Sequence, residues 1–211
     1  MCNLYANKAG PKAIMDATKA VRSDVGNLAP GDVYPDYSAP VVRWEGDDRI
    51  LTTARWGLPS PAFALEGKKT DKGVTNVRNL ASPHWRRWQS VANRCLVPFT
   101  SFSEPGRDAD GKFMPVWFDL VDRDPETPAF FAGIYVPQWT SVRKLKEGEV
   151  TADLFAFLTT EPSEPVKSIH PKAMPAILIE ADELDTWMTA PWAEAVRLQR
   201  ALPEGLLRIQ P

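Results

Sequence analysis

Arg94-Cys95-Leu96-Val97-Pro98-Phe99 reads as a buried strand, and it runs into Thr100-Ser101-Phe102-Ser103-Glu104. A short apolar run rich in β-branched and aromatic residues fits a strand covered by protein. The stretch ends on a carboxylate. At the mouth of an apolar segment, desolvation would raise the pKa of Glu104 and suit it to moving protons. A solvated strand end before the turn at Pro105-Gly106 is the plainer account. Cys95, inside the run, reads as core.

Further strands are expected on both sides of it. Downstream they are Phe113–Leu120, Ala129–Val136, Asp153–Thr159, Met174–Ile179 and Leu206–Ile209. Upstream, Val41–Trp44 and Ile50–Thr53 flank Gly46-Asp47-Asp48, the pattern of a hairpin. Val74–Arg78 is a shorter strand, and Gly26–Pro40 and Ser60–Gly73 are loops. Helices are expected after Gly10-Pro11, after Ser82-Pro83 with Ser82 as cap, after a cap at Asp182, and at Thr189 with Pro191. Twenty prolines suit short strands and elaborate loops better than a helical bundle. No linker divides the 211 residues, so a single domain over 1–211 is expected.

The composition narrows the function classes. With 44% hydrophobic and 25% charged residues, the chain has the make-up of a soluble globule. No apolar run reaches the ~20 residues that span a bilayer, and the N-terminal residues lack a secretory signal. Two cysteines make no disulfide framework, which points to a reducing cytoplasm. The net charge of −2 argues against a generically basic nucleic-acid binder. Yet Lys68, Lys69, Lys72, Arg78, Arg86, Arg87 and Arg94 face only Asp71 within one segment. Such a segment suggests an anionic partner or a solvated surface. No H-E-x-x-H, C-x-x-C or G-x-G-x-x-G occurs, and Gly67-Lys68-Lys69-Thr70 lacks the first glycine of a phosphate loop. Chemistry without metal or cofactor is expected.

Few residues remain for such chemistry. Cys2 follows an initiator methionine of the kind that cells trim before small side chains. Exposed as a terminus, it would carry a thiol beside an α-amine with a pKa of roughly 7.7–8.0, and that pair can close a thiazolidine on an aldehyde. An ordinary residue on a frayed end is the alternative. Asn76 and Arg78 alternate in Thr75-Asn76-Val77-Arg78, so in a strand they share a face. The amide can orient a carbonyl, and the guanidinium fork suits a phosphate. His170 lies in a polar loop, Ser168-Ile169-His170-Pro171-Lys172-Ala173-Met174-Pro175, whereas His84 reads as structural.

Met1-Cys2, Arg55-Trp56-Gly57-Leu58-Pro59, Thr75-Asn76-Val77-Arg78-Asn79, Cys95 to Glu104 and Ile169-His170-Pro171-Lys172-Ala173-Met174-Pro175, in this order, resemble the SRAP family. These SOS response-associated peptidase-like proteins shield abasic sites in single-stranded DNA. The resemblance implies an α+β fold, mostly antiparallel β strands curled around one core with peripheral helices, and a basic groove. It implies that Cys2 joins the ring-opened sugar as a thiazolidine, that Asn76 positions sugar or amine, and that Glu104 moves protons. His170 would help open the sugar ring and reverse the crosslink, and Arg78 would hold a phosphate. Asn3-Leu4 stand where the family has glycine-arginine, so Arg55, Lys172, Arg86 and Arg87 are expected to supply replacement charge. Pro40 and Phe63 fall where the family sets apolar wedges against bases. The partner implied is single-stranded DNA with abasic sites, bound by a cytoplasmic monomer that meets the nucleoid at damaged DNA. A cysteine peptidase or N-terminal-nucleophile amidohydrolase remains an alternative, as does a non-covalent single-strand binder. A hydrolase built on Ser101 or Ser103 with His170 lacks a nucleophile-elbow motif.

Overall fold

A computed structural model describes residues 2–210. In chain order, β1 (Leu4–Asn7) leads to α1 (Pro11–Thr18), β2 (Arg22–Ser23) and β3 (Gly31–Val33). The hairpin of β4 (Ser38–Glu45) and β5 (Asp48–Trp56) is followed by α2 (Ala62–Leu65), β6 (Asn76–Val77) and α3 (Pro83–Arg86). Then come β7 (Arg94–Phe99), β8 (Ser101–Arg107), β9 (Phe113–Leu120), β10 (Ala129–Val142) and β11 (Glu149–Thr160). Last are α4 (Val166–Ile169), β12 (Met174–Pro175), β13 (Ile177–Leu178), α5 (Ala181–Thr189), α6 (Trp192–Ala195) and β14 (Leu207–Ile209).

The fold is mostly β, with short helices. β7, β4, β5, β11 and β10 each pair with the next, and β10 returns to β7, which closes a barrel. The closure is the parallel contact of β5 with β11, Leu154 opposite Arg55 and Phe155 opposite Trp56. β2 on β5 and β6 on β11 are also parallel, so the sheet is mixed rather than wholly antiparallel. A second sheet runs β14-β9-β8-β1-β3.

The stretch 94–107 belongs to both sheets. Every residue of β7 is buried, between β10 and β4. Pro98, which has no N–H to donate, lies past the residues where β4 pairs with β7. Opposite Cys95, Gly133 is required, because a Cβ there would stand 2.6 Å from the Cys95 Sγ. At Thr100 the chain crosses over: its N–H donates to Ala6 O at 2.8 Å and its Oγ1 accepts from the Lys8 N–H at 3.2 Å. β8 then lies between β1 and β9.

Aromatic rings fill the space between the sheets. Phe99 and Phe131 stack at 3.9 Å, and the Tyr5 ring meets Trp56, Phe131 and Phe157 edge-on at 5.2, 5.7 and 6.0 Å. Truncating one such buried ring costs about 3–5 kcal/mol, so this cluster holds β1 down at Tyr5.

Several expectations are corrected. Glu104 does not end a strand: pairing with β9 continues to Arg107, which leaves Glu104 in mid-strand and 1% exposed. Ser82 makes no side-chain cap bond. α5 begins after Glu180 rather than at a cap on Asp182, because the Glu183 carboxylate reaches back to the N–H groups of Ile179 and Glu180. The last helix is preceded by Pro191, not Thr189. Pro40 is not on a loop but buried in β4 opposite Thr53, where it has no route to a base. Arg94 is buried and donates to the carbonyls of Gln89, Trp187 and Ala190, so it is lost to the basic surface.

Candidate active site

Cys2 stands just before β1 and is fully buried. Its strand is held on both edges, with Leu4 opposite Ser103 and Tyr5 opposite Phe102 on one side and Val33 on the other. The Sγ lies 3.5 Å from Leu4 O. Burial, and after it the nearby Glu104 carboxylate, push the thiol well above its ordinary range. The thiol is therefore kept neutral in this arrangement.

Asn76 arrives on β6, whose pairing with β11 sets it opposite Phe157. Its Nδ2 donates to Cys2 O at 2.8 Å and to Thr75 Oγ1 at 2.9 Å. Both donor hydrogens being used, the orientation of the amide is fixed by the network. Asn76 Oδ1 is buried and accepts no hydrogen bond from the described residues.

Glu104 comes from β8. Burial lifts its carboxyl to about 7, and the Cys2 N–H bonds it. His170 follows α4, and its N–H bonds Val166 O at 2.7 Å. The ring Nδ1 lies 3.0 Å from Ala173 O and 3.2 Å from Glu104 Oε2. Burial holds the imidazole below its usual value, and Lys172 adds to that. A raised acid beside a lowered base keeps a proton on the pair without a net charge, which suits transfer near neutral pH.

Four residues separated by up to the greater part of the chain thus meet at one point: Cys2, Asn76, Glu104 and His170. Arg78 stands at the rim of the group. Its guanidinium donates to Thr160 O at 2.5 Å and Lys172 O at 3.4 Å, and it pairs with Glu161. Lys172 is exposed beside it. Arg55 is not a free cation, being bidentate to Asp36 at 2.6 and 2.7 Å and 3.1 Å from Glu147. Arg86 and Arg87 are exposed on and just after α3, with the Arg87 guanidinium 3.9 Å from the centre of the Trp88 ring. Phe63 is exposed on α2. Among the described residues, no contact joins these last three to the central four.

The family model for SRAP, SOS response associated peptidase, matches residues 1–210. The chain belongs to the SRAP family. Membership ties this SRAP chain to the SOS response and the handling of DNA damage. No curated protein is significantly similar to it in sequence. Among solved structures, a Bordetella bronchiseptica protein is similar, with a TM-score of 0.72 at 22% identity over 99% of this chain and 98% of its own. A Bacteroides thetaiotaomicron protein gives 0.71 at 22% over 99% and 90%. A phage-related protein of B. bronchiseptica gives 0.68 at 18% over 100% and 93%. These likenesses carry the fold. Among the described residues, no helix is long and apolar enough to cross a membrane.

Three contributors to the site escape sequence reasoning. Thr75 Oγ1 orients the Asn76 amide, Ala173 O orients His170, and the Ser103 backbone N–H faces the Cys2 thiol. Two of the three are backbone groups, which every residue has. Only the polar Thr75 next to Asn76 left any signal.

Proposed function

We propose that this SRAP chain captures abasic sites in single-stranded DNA covalently, as one domain over its whole length, through a thiazolidine on Cys2. The observation that carries the reading is the convergence of Asn76, Glu104 and His170 on the start of β1. Removal of Met1, which the reading needs, falls outside the described residues.

With Met1 gone, the Cys2 nitrogen is an amine beside Glu104. It attacks the aldehyde carbon of the ring-opened deoxyribose, and loss of water leaves an imine. The thiol adds to the imine carbon, its proton passes to the nitrogen, and a five-membered ring closes. Because the thiol is held neutral and the amine is not a strong base, amine attack precedes sulfur attack. Glu104, titrating near neutrality, can protonate the departing hydroxyl and take the proton back. His170, in contact with Glu104, assists ring opening and reversal. Asn76 holds the Cys2 carbonyl, and so the direction in which both nucleophiles point. Arg78 and Lys172 meet the adjoining phosphate.

Intact-mass spectrometry tests this after mixing with an oligonucleotide that carries one abasic site. The expected species lacks Met1 and has gained the strand less one water. Retention of Met1 or an unmodified protein overturns the reading.

The word peptidase in the family's description favours a second reading, in which Cys2 and His170 act on a peptide bond. Cys2→Ser separates the readings. It abolishes the DNA adduct under the first and leaves a slow hydrolase under the second. Simple non-covalent strand binding would survive it unchanged.

A further inference from the structure

Beside the central four residues lies a cavity of about 250 Å³, walled by Tyr34, Pro35, Pro105, Phe113 and Pro115 and sharing Glu104 with the site. Its place follows from the sheet order. β3, β1, β8 and β9 are neighbours, Tyr34 follows β3 directly, and Pro105 and Arg107 pair with Pro115 and Phe113. The cavity therefore crosses four strands at the end where β1 begins, next to Cys2.

Tyr34 is 43% and Phe113 63% exposed. Lone exposed rings are ordinary on a protein surface. Two rings and three prolines lining one cavity that opens onto a reactive cluster are not. The walls carry no cation, so the part of a ligand that enters is uncharged and flat-faced. The volume is below the ~300–1,000 Å³ of drug-sized sites and suits one ring system. Phe113 also borders a second cavity, about 420 Å³, with Arg107 and Ser168 on its wall. A cation thus waits on the far side of the same ring.

Resting on the function proposed above, we infer that the first cavity takes the nucleobase adjoining the abasic nucleotide, stacked on Tyr34 and Phe113, with Arg107 meeting the next phosphate. Stacking strength rises with ring area, so capture depends on the neighbouring base, purine before pyrimidine, on one side of the lesion only.

The test uses single strands whose neighbour to the abasic site, on the 5′ or the 3′ side, is adenine, cytosine or a base-free spacer. Adduct formation is followed by intact mass at sub-saturating protein, and affinity by fluorescence anisotropy. On one side, replacing adenine by the spacer should slow capture and weaken binding by about fivefold or more. In Tyr34→Ala/Phe113→Ala the same replacement should change neither, while adduct still forms at saturating strand. Arg107→Gln should lower the salt dependence of binding and keep the base preference. Indifference of the parent protein to both neighbours overturns the inference, as does a preference that survives in the double variant. A double variant altered only in cleaving a peptide, with its DNA affinity intact, overturns it in favour of a peptide side chain. If no strand gives an adduct, the covalent reading falls, and anisotropy alone decides the base subsite.

Discussion

Asn76 donates from Nδ2 to the carbonyl oxygen of Cys2 across 2.8 Å, joining residues 74 apart in the sequence. The amide is held from behind by Thr75 Oγ1, so the bond fixes the start of β1 rather than following it. Asn76→Ala leaves a buried carbonyl without its donor, a cost of about 1–3 kcal/mol. Mispositioned nucleophiles lose on the order of 10²-fold in rate. Chemical denaturation and the time course of adduct formation check the two effects separately. Adduct formation at the parent rate would sink the positioning role.

Cys2→Ser should form no thiazolidine, since an alcohol is a far weaker nucleophile towards an imine than a thiol. The exchange buries a hydroxyl in place of a thiol at a fully covered position, with a stability cost of about 1–3 kcal/mol. Affinity for an intact single strand should stay within a factor of two to three. A gel-stable adduct in this variant contradicts the chemistry proposed.

Glu104 ties stability to pH. Burial raises its carboxyl from 4.5 to about 7, so between those values the folded protein holds a proton that the unfolded chain has released. Stability from this group is present below the lower value and is lost as pH rises through the upper one. Relative to Glu104→Gln, the parent should lose about 3 kcal/mol between acid and mildly alkaline pH. Urea midpoints across pH 4–8 measure it. The same variant should flatten the pH profile of adduct formation while lowering its rate.

Arg78 is half occupied by its own protein. Its ion pair with Glu161 is formed by a carboxylate that is 79% exposed, so the pair contributes little to stability. Glu161→Gln should release the guanidinium and tighten single-strand binding. The salt slope should steepen by about 0.7, the increment for one phosphate contact on a single strand. Titrations at four salt concentrations show whether it does.

Gly73 should tolerate no side chain. It has φ of +77°, and an added Cβ would stand 2.0 Å from Arg143 Nη1, which donates to Asp71 O at 3.3 Å while Nη2 donates to Gly57 O at 2.5 Å. The backbone strain alone costs about 1–3 kcal/mol, and displacing a buried guanidinium adds to it. Gly73→Ala should lower the denaturation midpoint and slow adduct formation through β6, three residues on. Unchanged stability would mean that the Arg143 cluster does not hold this loop.

Local signals carried the element map well. The β4–β5 hairpin, the strands of 94–99 and 113–120, and the start of α1 at Pro11 all lie where turn residues and apolar runs place them. Where the reading failed, a partner far along the chain had decided. Pro40 looks like a loop residue among prolines, yet β5 pairs with it. Arg94 looks like one more surface cation, yet carbonyls from α5 and beyond receive it. Arg55 looks free until Asp36 and Glu147 are seen around it.

From its amino acids alone, the chain declared its membership, its mostly β character and four candidate site residues, because periodicity, turn chemistry and motif order are written within a few residues. Tertiary structure decided that these four meet, that Glu104 is buried in mid-strand and titrates near neutrality, and that two exposed rings border the same site. Burial and proximity arise from strand pairing across scores of residues, and no local pattern encodes which strand will lie beside which.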